Sequence, residues 1–221
     1  MDVRAILFDF DHTLGVDNRL EFDVLHGLVH EACGAPPAED DVIACLESFR
    51  SGRVPLDDAL SSAFARWGCP PPRIAMIVRD FRRRALEEAP QRVRPMPGAH
   101  QTVLELARRA VPIAIMTNGW RELQHLKARL IDFPGPVYSS EELGAWKPAR
   151  EAFERVVSLL ELAPTTTLYV GDSPETDVAG AKNAGLLAAW ADLEGKTYPE
   201  NVIKPDIVIT ALVQLLGLAP P

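Results

Sequence analysis

Short apolar segments alternate with helical segments over the second half of the chain, and this alternation limits the possible folds more than any other feature. After residue 95 the expected strands are VPIAIMT, PVYSS, TTLYVGD, LLAAWA and DIVIT. Helices are expected between most of them, and such alternation is typical of a parallel sheet covered on both faces. Residues 3–8 form one more short, almost continuously apolar segment, as a fully buried strand does, and we assign it to the same sheet.

The stretch between this first strand and the later ones has a different character. From about residue 20 to 90, apolar residues recur at helical spacing in four segments, and no segment resembles a strand. The sequence therefore predicts an α/β fold in which a doubly wound parallel sheet is formed by residues 1–14 and 95–221. An α-helical cap is expected as an insertion at residues 15–94.

Composition narrows the classes of partner. The chain has 221 residues, 47% of them hydrophobic, and a net charge of −8 at pH 7. This charge argues against a nucleic acid polymer or an anionic membrane as the main partner, but one local cationic pocket can still bind a small anion. No apolar run approaches the ~20 residues needed to span a bilayer, and the first residues do not form a signal peptide, so we expect a cytoplasmic protein.

The cysteines give a further expectation about the cellular compartment. Cys33, Cys45 and Cys69 are odd in number, scattered, and without CxxC spacing. We therefore predict three free thiols in a reducing compartment, and neither a zinc site nor a disulfide framework.

Polar and acidic residues stand where the predicted strands end. They are Asp9, Asp11 and Thr13 after the first strand, Thr117 and Asn118 after the second, and Asp172 and Asp177 after TLYVG. Ligands of an open parallel sheet bind outside the carboxyl ends of its strands, so these groups share one pocket if the strands are neighbours. Lys147, directly before Pro148 at a predicted helix start, would add a positive charge.

The charges in this pocket indicate a chemistry. Four carboxylates cannot all ionise at close range without a cation, and Mg²⁺ is a hard cation that binds through oxygen. The remaining polar groups, Thr117, Asn118 and Lys147, suit the oxygens of a phosphate. Metal and phosphate together indicate phosphoryl transfer, in which one carboxylate of the first strand attacks phosphorus and the other transfers a proton.

Four motifs occur in the order known from one family. They are DFDHT at 9–13, MTNG at 116–119, WKP at 146–148 and GDSPETD at 171–177. With these motifs the chain resembles the haloacid dehalogenase superfamily, in its phosphatase branch with a helical cap inserted after the first strand. The resemblance covers nearly the whole chain, and it implies the Rossmann-like core of that superfamily.

The resemblance also implies roles for the motif residues in a Mg²⁺-dependent phosphatase that acts on a small phosphorylated metabolite through an aspartyl-phosphate. Asp9 would be the nucleophile and Asp11 the acid and base. Asp9, the main-chain carbonyl of Asp11, and Asp172 would bind Mg²⁺. Asp177 would support the waters of the metal or orient Lys147. The threonine and the lysine of the second and third motifs would hold the transferring phosphoryl group.

Several alternatives use parts of the same pattern. A phosphomutase shares every core residue, and a non-catalytic phosphate-binding regulatory module gathers similar groups. The dehalogenase branch usually lacks the second aspartate, here Asp11, and the phosphonate-cleaving branch needs a cap lysine, whereas residues 15–94 contain none. Arg53, between two predicted cap helices, is a candidate substrate contact, and the run Arg82–Arg84 is expected to be a solvated helix face. The sequence predicts neither the substrate nor the oligomeric state.

Overall fold

A computed structural model describes residues 1–220, and the chain divides into two compact units. The first unit consists of Met1–Val16 and the residues from Val93 onward, and we call it the core unit. The second, Asp17–Arg92, is the helical unit. The sequence placed the division at residues 15 and 94.

The core unit contains all the strands of the described chain. In chain order they are β1 (Ala5–Phe8), β2 (Gly15–Val16), β3 (Arg94–Pro95), β4 (Ile113–Thr117), β5 (Val137–Ser139), β6 (Thr167–Gly171), β7 (Leu187–Ala191) and β8 (Ile207–Ile209). Six of them form one sheet in the order β5-β4-β1-β6-β7-β8, and every neighbouring pair is parallel. The predicted α/β fold with a parallel sheet is confirmed.

Strand β1 lies inside this sheet, between β4 and β6. All four of its residues are buried, as its continuous apolar sequence predicts for a strand covered on both faces. Its register pairs Phe8 with Ile115 on one side and with Val170 on the other. The three strands therefore end at one edge of the sheet, and the residues that follow them emerge side by side.

Helices connect most of the parallel strands. The helical unit contributes α1 (Leu20–Cys33), α2 (Glu39–Arg50), α3 (Leu56–Arg66) and α4 (Pro71–Arg92), and the core unit contributes α5 (Ala99–Arg108), α6 (Arg121–Leu130), α7 (Ser140–Leu143), α8 (Arg150–Leu159) and α9 (Ala179–Asn183). A π-helical turn at Pro174–Val178 precedes α9. The predicted last helix is a 3₁₀ segment, Leu212–Gly217.

The helical unit consists of the four helices that the sequence predicts. Each helix buries one apolar face within the unit; in α2, for example, this face is formed by Val42, Cys45, Leu46 and Phe49. Within residues 1–220, no helix is both long and apolar enough to cross a lipid bilayer.

A small antiparallel ribbon, which the sequence did not predict, lies where the chain leaves and re-enters the core unit. Strand β2 pairs with β3, Gly15 opposite Pro95 and Val16 opposite Arg94. Only glycine fits at position 15, because a Cβ atom there would lie 2.7 Å from the Phe10 ring and 3.2 Å from the Arg94 carbonyl oxygen.

The prediction of three free thiols is wrong for two of the cysteines. Cys33, the last residue of α1, forms a disulfide with Cys69, which lies just before α4, and their Cα atoms are 5.2 Å apart. The pairing follows from the packing of α1 against α4, which brings together residues 36 positions apart in the chain. The spacing of the three cysteines along the sequence does not indicate such a contact.

We expect thiol counting to confirm this pairing. Cys45 is free and buried, and burial raises the pKa of its thiol to about 11, so the native protein should react slowly with a thiolate-directed reagent at pH 8. Protein purified without reductant should show one thiol after denaturation in Ellman's assay, and three after reduction. Three thiols before reduction would contradict the disulfide.

Candidate active site

The candidate site lies at the edge of the sheet where β1, β4 and β6 end. Asp9 directly follows β1, Thr117 is the last residue of β4, and Asp172 directly follows β6. Asp9 and Thr117 are buried, 7% and 3% exposed, and Asp172 is partly buried. The strand order therefore brings together residues that are far apart in the sequence, as expected for a parallel sheet.

Lys147 is the cation of this site. It is 4% exposed, and its Nζ donates to Asp9 Oδ1 at 2.6 Å and to Asp177 Oδ1 at 2.7 Å. It also donates to the hydroxyl of Tyr169 at 2.8 Å, and that hydroxyl in turn donates to the main-chain oxygen of Met116 at 2.7 Å. The lysine is therefore held on three sides and can hardly change its position.

Three carboxylates crowd around the same point. Asp9, Asp172 and Asp177 each offer an oxygen, and these oxygens all lie within 4.8 Å of one another. Burial raises the pKa of all three carboxyl groups above the ordinary aspartate value, and in Asp172 the charge of Asp9 raises it further. A set of close carboxylate oxygens is the donor type that a hard divalent cation prefers, so these residues fit Mg²⁺.

Gly171 makes the approach of Asp177 possible. A Cβ atom at position 171 would lie 2.3 Å from Asp177 Cγ. The carboxylate of Asp177, 1% exposed, also accepts from the main-chain N–H of Ser173 at 3.0 Å through Oδ2. Gly171 and the turn that begins at Ser173 thus hold the Asp177 carboxylate against Lys147.

The ionisation of Lys147 follows from its neighbours. Burial by itself lowers the pKa of an ammonium group, but the carboxylates of Asp177 and Asp9 outweigh this effect and hold the pKa of Lys147 well above its ordinary value. Lys147 is therefore charged over the whole physiological range. For the Tyr169 hydroxyl, whose charged form is the anion, burial raises the pKa well above its ordinary value, so the hydroxyl stays protonated.

Asn118 faces the main chain of Lys147. Its Nδ2 donates to the Lys147 carbonyl oxygen at 2.9 Å, and its Oδ1 accepts from the Lys147 N–H at 2.9 Å. This reciprocal pair links the end of β4 to the segment that carries the lysine. The expected helix start at Pro148 is wrong: the Lys147–Pro148 peptide bond is cis, and α8 begins at Arg150.

Asp11 is not one of the three crowded carboxylates. Its Oδ1 accepts from Lys127 Nζ at 2.6 Å, and its side chain is 34% exposed, whereas that of Lys127 is fully buried. The two aspartates of the first motif thus contact different lysines. The predicted contact of Asp11 with a metal is through its main-chain carbonyl, and it stays a prediction.

A chain of polar contacts extends from Asp172 to the surface. Asp172 Oδ2 accepts from Lys196 Nζ at 3.0 Å, Lys196 lies 3.0 Å from Glu194 Oε2, and Glu194 Oε1 lies 2.9 Å from Nδ1 of His12. His12 has a positive φ of 58°, a region that is uncommon for residues other than glycine and that histidine adopts more often than most.

Three residues of the site, Tyr169, Lys127 and Lys196, were not predicted from the sequence. Tyr169 lies in a strand where an aromatic residue is ordinary, and Lys196 lies in a loop, so neither gave a recognisable pattern. Lys127 did give one: in α6 it occupies the buried helix face that also contains Leu123, Gln124 and Ala128. A lysine on an apolar face is a sign of a buried partner.

The predicted candidates in the helical unit are at its surface. Arg53 lies in the exposed turn after α2, where its Nε donates to Ser51 Oγ at 2.9 Å. The arginines of α4 form ion pairs with acidic residues of the same unit: Arg82 with Asp57, Arg83 with Asp80 and Glu87, and Arg84 with Glu31. Exposed pairs of this kind contribute little to stability.

A parallel sheet with a buried lysine and crowded carboxylates at its carboxyl edge is an α/β fold with a polar site where the ligands of such folds bind. The family described as haloacid dehalogenase-like hydrolase matches residues 3–185. The chain belongs to this family of hydrolases.

Individual relatives agree with this assignment. The chain is 33% identical to the phosphoserine phosphatase of Thermus thermophilus over 67% of its own length and 70% of that protein. It is also 33% identical to the glyceraldehyde 3-phosphate phosphatase of Pyrococcus furiosus, but over only 56% of its own length and 54% of that protein. The predicted family, in its phosphatase branch, is confirmed.

A solved structure agrees with the fold. The HAD-hydrolase YfnB of Bacillus subtilis, solved bound to magnesium, superposes with a TM-score of 0.73 over 100% of both chains at 23% identity. At this identity the similarity demonstrates a common fold.

Proposed function

We propose that this chain is a Mg²⁺-dependent phosphatase that hydrolyses small phosphomonoesters through an aspartyl-phosphate on Asp9. The observation that carries the proposal is the position of Lys147 Nζ, 2.6 Å from Asp9 and 2.7 Å from Asp177, beside three carboxylates within 4.8 Å of one another. The relatives named as phosphatases of phosphoserine and of glyceraldehyde 3-phosphate support the substrate class.

Asp9 is the proposed nucleophile. A carboxylate oxygen of Asp9 attacks phosphorus, and the bond from phosphorus to the oxygen of the leaving alcohol breaks. Attack requires the ionised carboxylate. Burial raises the pKa of Asp9, but the positive charge of Lys147 acts in the opposite direction and favours the ionised form.

Asp11 is the proposed acid and base. In the first step its proton passes to the oxygen of the leaving alcohol. In the second step Asp11 takes a proton from water, the water oxygen attacks phosphorus, and the bond between phosphorus and Asp9 breaks. Inorganic phosphate leaves, and both aspartates regain their starting protonation states. The 34% exposure of the Asp11 side chain supports this role, because the group must reach an incoming substrate.

The remaining residues hold the transferring phosphoryl group and the metal. Lys147 and Thr117 would donate to the phosphoryl oxygens, and Asn118 would keep the Lys147 segment in place through its two main-chain hydrogen bonds. Asp9, Asp172 and the main-chain carbonyl of Asp11 would hold Mg²⁺, and Asp177 would orient Lys147. Bound Mg²⁺ supplies charge neutralisation for the phosphoryl group.

A phosphate-release screen over a panel of phosphorylated metabolites tests the proposal. We expect Mg²⁺-dependent release of inorganic phosphate from at least one small monoester, loss of release in EDTA, and full recovery when excess Mg²⁺ is added back. Full activity in EDTA would contradict the metal. A phosphomutase would move phosphate between substrate positions without releasing it, and a binding module would leave every substrate intact.

A further inference from the structure

Lys127 is a buried lysine that the proposed mechanism does not use. It lies on the buried face of α6 and is fully inaccessible to solvent. Taking an ammonium group out of water is strongly unfavourable unless a partner of opposite charge is present. The structure shows such a partner in Asp11, whose Oδ1 is 2.6 Å from Lys127 Nζ. The Phe10 ring adds a cation–π contact, with its centroid 5.0 Å from the same nitrogen.

The two aspartates of the first motif therefore have separate cations. Lys147, in the segment before α8, contacts Asp9, and Lys127, on α6, contacts Asp11. The two lysines come from different elements of the core unit, so each carboxylate is oriented independently of the other. An arrangement in which one lysine neutralised both aspartates would not need a second buried ammonium group.

We infer that Lys127 is a positioning residue: its hydrogen bond to Asp11 Oδ1 fixes the carboxyl group, so that Oδ2 is the oxygen that carries the proton and passes it to the leaving oxygen. The inference rests on the proposed function, because it assigns to Lys127 a role in the step that Asp11 performs. Lys127 is fully buried while the Asp11 side chain is 34% exposed. The lysine thus acts from within the protein on a carboxyl group that can reach a substrate, and Lys127 itself need not touch the substrate.

The role in proton transfer leads to a specific kinetic signature. A leaving group that departs readily as an anion does not need the proton of Asp11, whereas a poor leaving group does. Phenyl phosphate and p-nitrophenyl phosphate have nearly the same shape. Phenol has a pKa of about 10, like tyrosine, and the nitro group makes p-nitrophenol much more acidic. The ratio of kcat/KM for the two esters therefore measures how much proton transfer to the leaving oxygen contributes to the rate.

The experiment compares this ratio in Lys127→Met and in the wild type. We expect kcat/KM for phenyl phosphate to fall at least tenfold more than kcat/KM for p-nitrophenyl phosphate. Asp11→Asn should shift the ratio in the same direction, and Lys127→Arg, which keeps the charge, should restore part of it. Lys204→Met, a change at an exposed lysine of the core unit, is the matched control and should leave the ratio unchanged. An equal loss for both esters in Lys127→Met would mean a merely structural role and would overturn the inference.

Urea unfolding separates failure of this inference from failure of the proposed function. Asp11→Asn should shift the unfolding midpoint clearly less in the Lys127→Met background than in the wild type, because the pair is already broken. Identical shifts in the two backgrounds would overturn the inference even if the enzyme is a phosphatase. If the wild type releases no phosphate from either ester or from any monoester of the metabolite panel, the proposed function fails, and with it the kinetic role of Lys127. The coupling in urea would still report the contact between the two residues.

Discussion

The Asp9→Asn protein is expected to lose hydrolysis of phosphomonoesters by at least about 10³-fold, because an amide cannot attack phosphorus as a carboxylate does. The fold should survive, since the amide retains the size of the carboxylate and its oxygen can still accept a hydrogen bond from Lys147 in place of Asp9 Oδ1. Acid quenching of the wild type during turnover of a ³²P-labelled substrate should trap label on the protein, and the Asp9→Asn protein should carry none.

A matched control separates the loss of the nucleophile from the loss of a charge. Asp58→Asn removes one exposed carboxylate in the helical unit and should leave the rate within twofold of the wild type. Wild-type rates in Asp9→Asn would remove Asp9 as nucleophile. Label trapped on Asp9→Asn would place the covalent intermediate on another residue.

Lys147→Met is expected to be inactive and also markedly less stable. The substitution leaves Asp9 and Asp177 buried without their cation, and breaking a buried pair in this way costs about 3–5 kcal/mol of the free energy of unfolding. Tyr169 loses a hydrogen bond as well. Urea unfolding in EDTA, which removes the contribution of any bound cation, measures the effect.

The pH dependence of this loss has a definite sign. Without Lys147 the pKa of Asp9 and of Asp177 rises further, so both groups bind protons in the folded state at a pH where the unfolded chain does not. The destabilisation of Lys147→Met relative to the wild type should therefore be largest at pH 7–8 and shrink as the pH falls through the raised pKa values of the two carboxyl groups. In the wild type the pKa of Lys147 is raised, so its contribution is present below its ordinary pKa of about 10.5 and is lost only above it.

Lys147→Arg is the matched variant, because it keeps the positive charge while changing the shape of the side chain. It should recover part of the stability, because the buried carboxylates keep a cation. It should recover little of the activity, since the larger planar guanidinium group directs its N–H donors differently from the ammonium group held by Asp9, Asp177 and Tyr169. A destabilisation of Lys147→Met that is the same at every pH would contradict the ionisation of Asp9 and Asp177 as its cause.

Those features that depend on local pattern could be predicted from the sequence. The apolar run of β1 specified a buried parallel strand, and the polar residues after β1, β4 and β6 specified where a site would form. Because parallel strands end at one edge, placing Asp9, Thr117 and Asp172 together required only the strand order. The four motifs in order then led to the family.

The features that depend on long-range packing could not be predicted in this way. The disulfide between Cys33 and Cys69 depends on how α1 lies against α4, and the contact of Lys127 with Asp11 depends on how α6 is rotated against the sheet. The spacing of the cysteines along the chain does not reveal that they pair. The position of Lys127 on the buried face of α6 indicates a buried partner, but it does not indicate that the partner is Asp11. The hydrogen bonds from Asn118 to the main chain of Lys147 likewise depend on a turn that no motif describes.

The ribbon of β2 and β3 has a consequence for how such a chain can diversify. Because Gly15 and Pro95 are paired directly, the two ends of the intervening segment are held a single strand spacing apart. The segment between these ends, which contains the helical unit Asp17–Arg92, can be lengthened, shortened or replaced by another module while the register of the central sheet stays the same. Replacement of the segment at this junction is therefore the simplest way to change substrate specificity without changing the core unit.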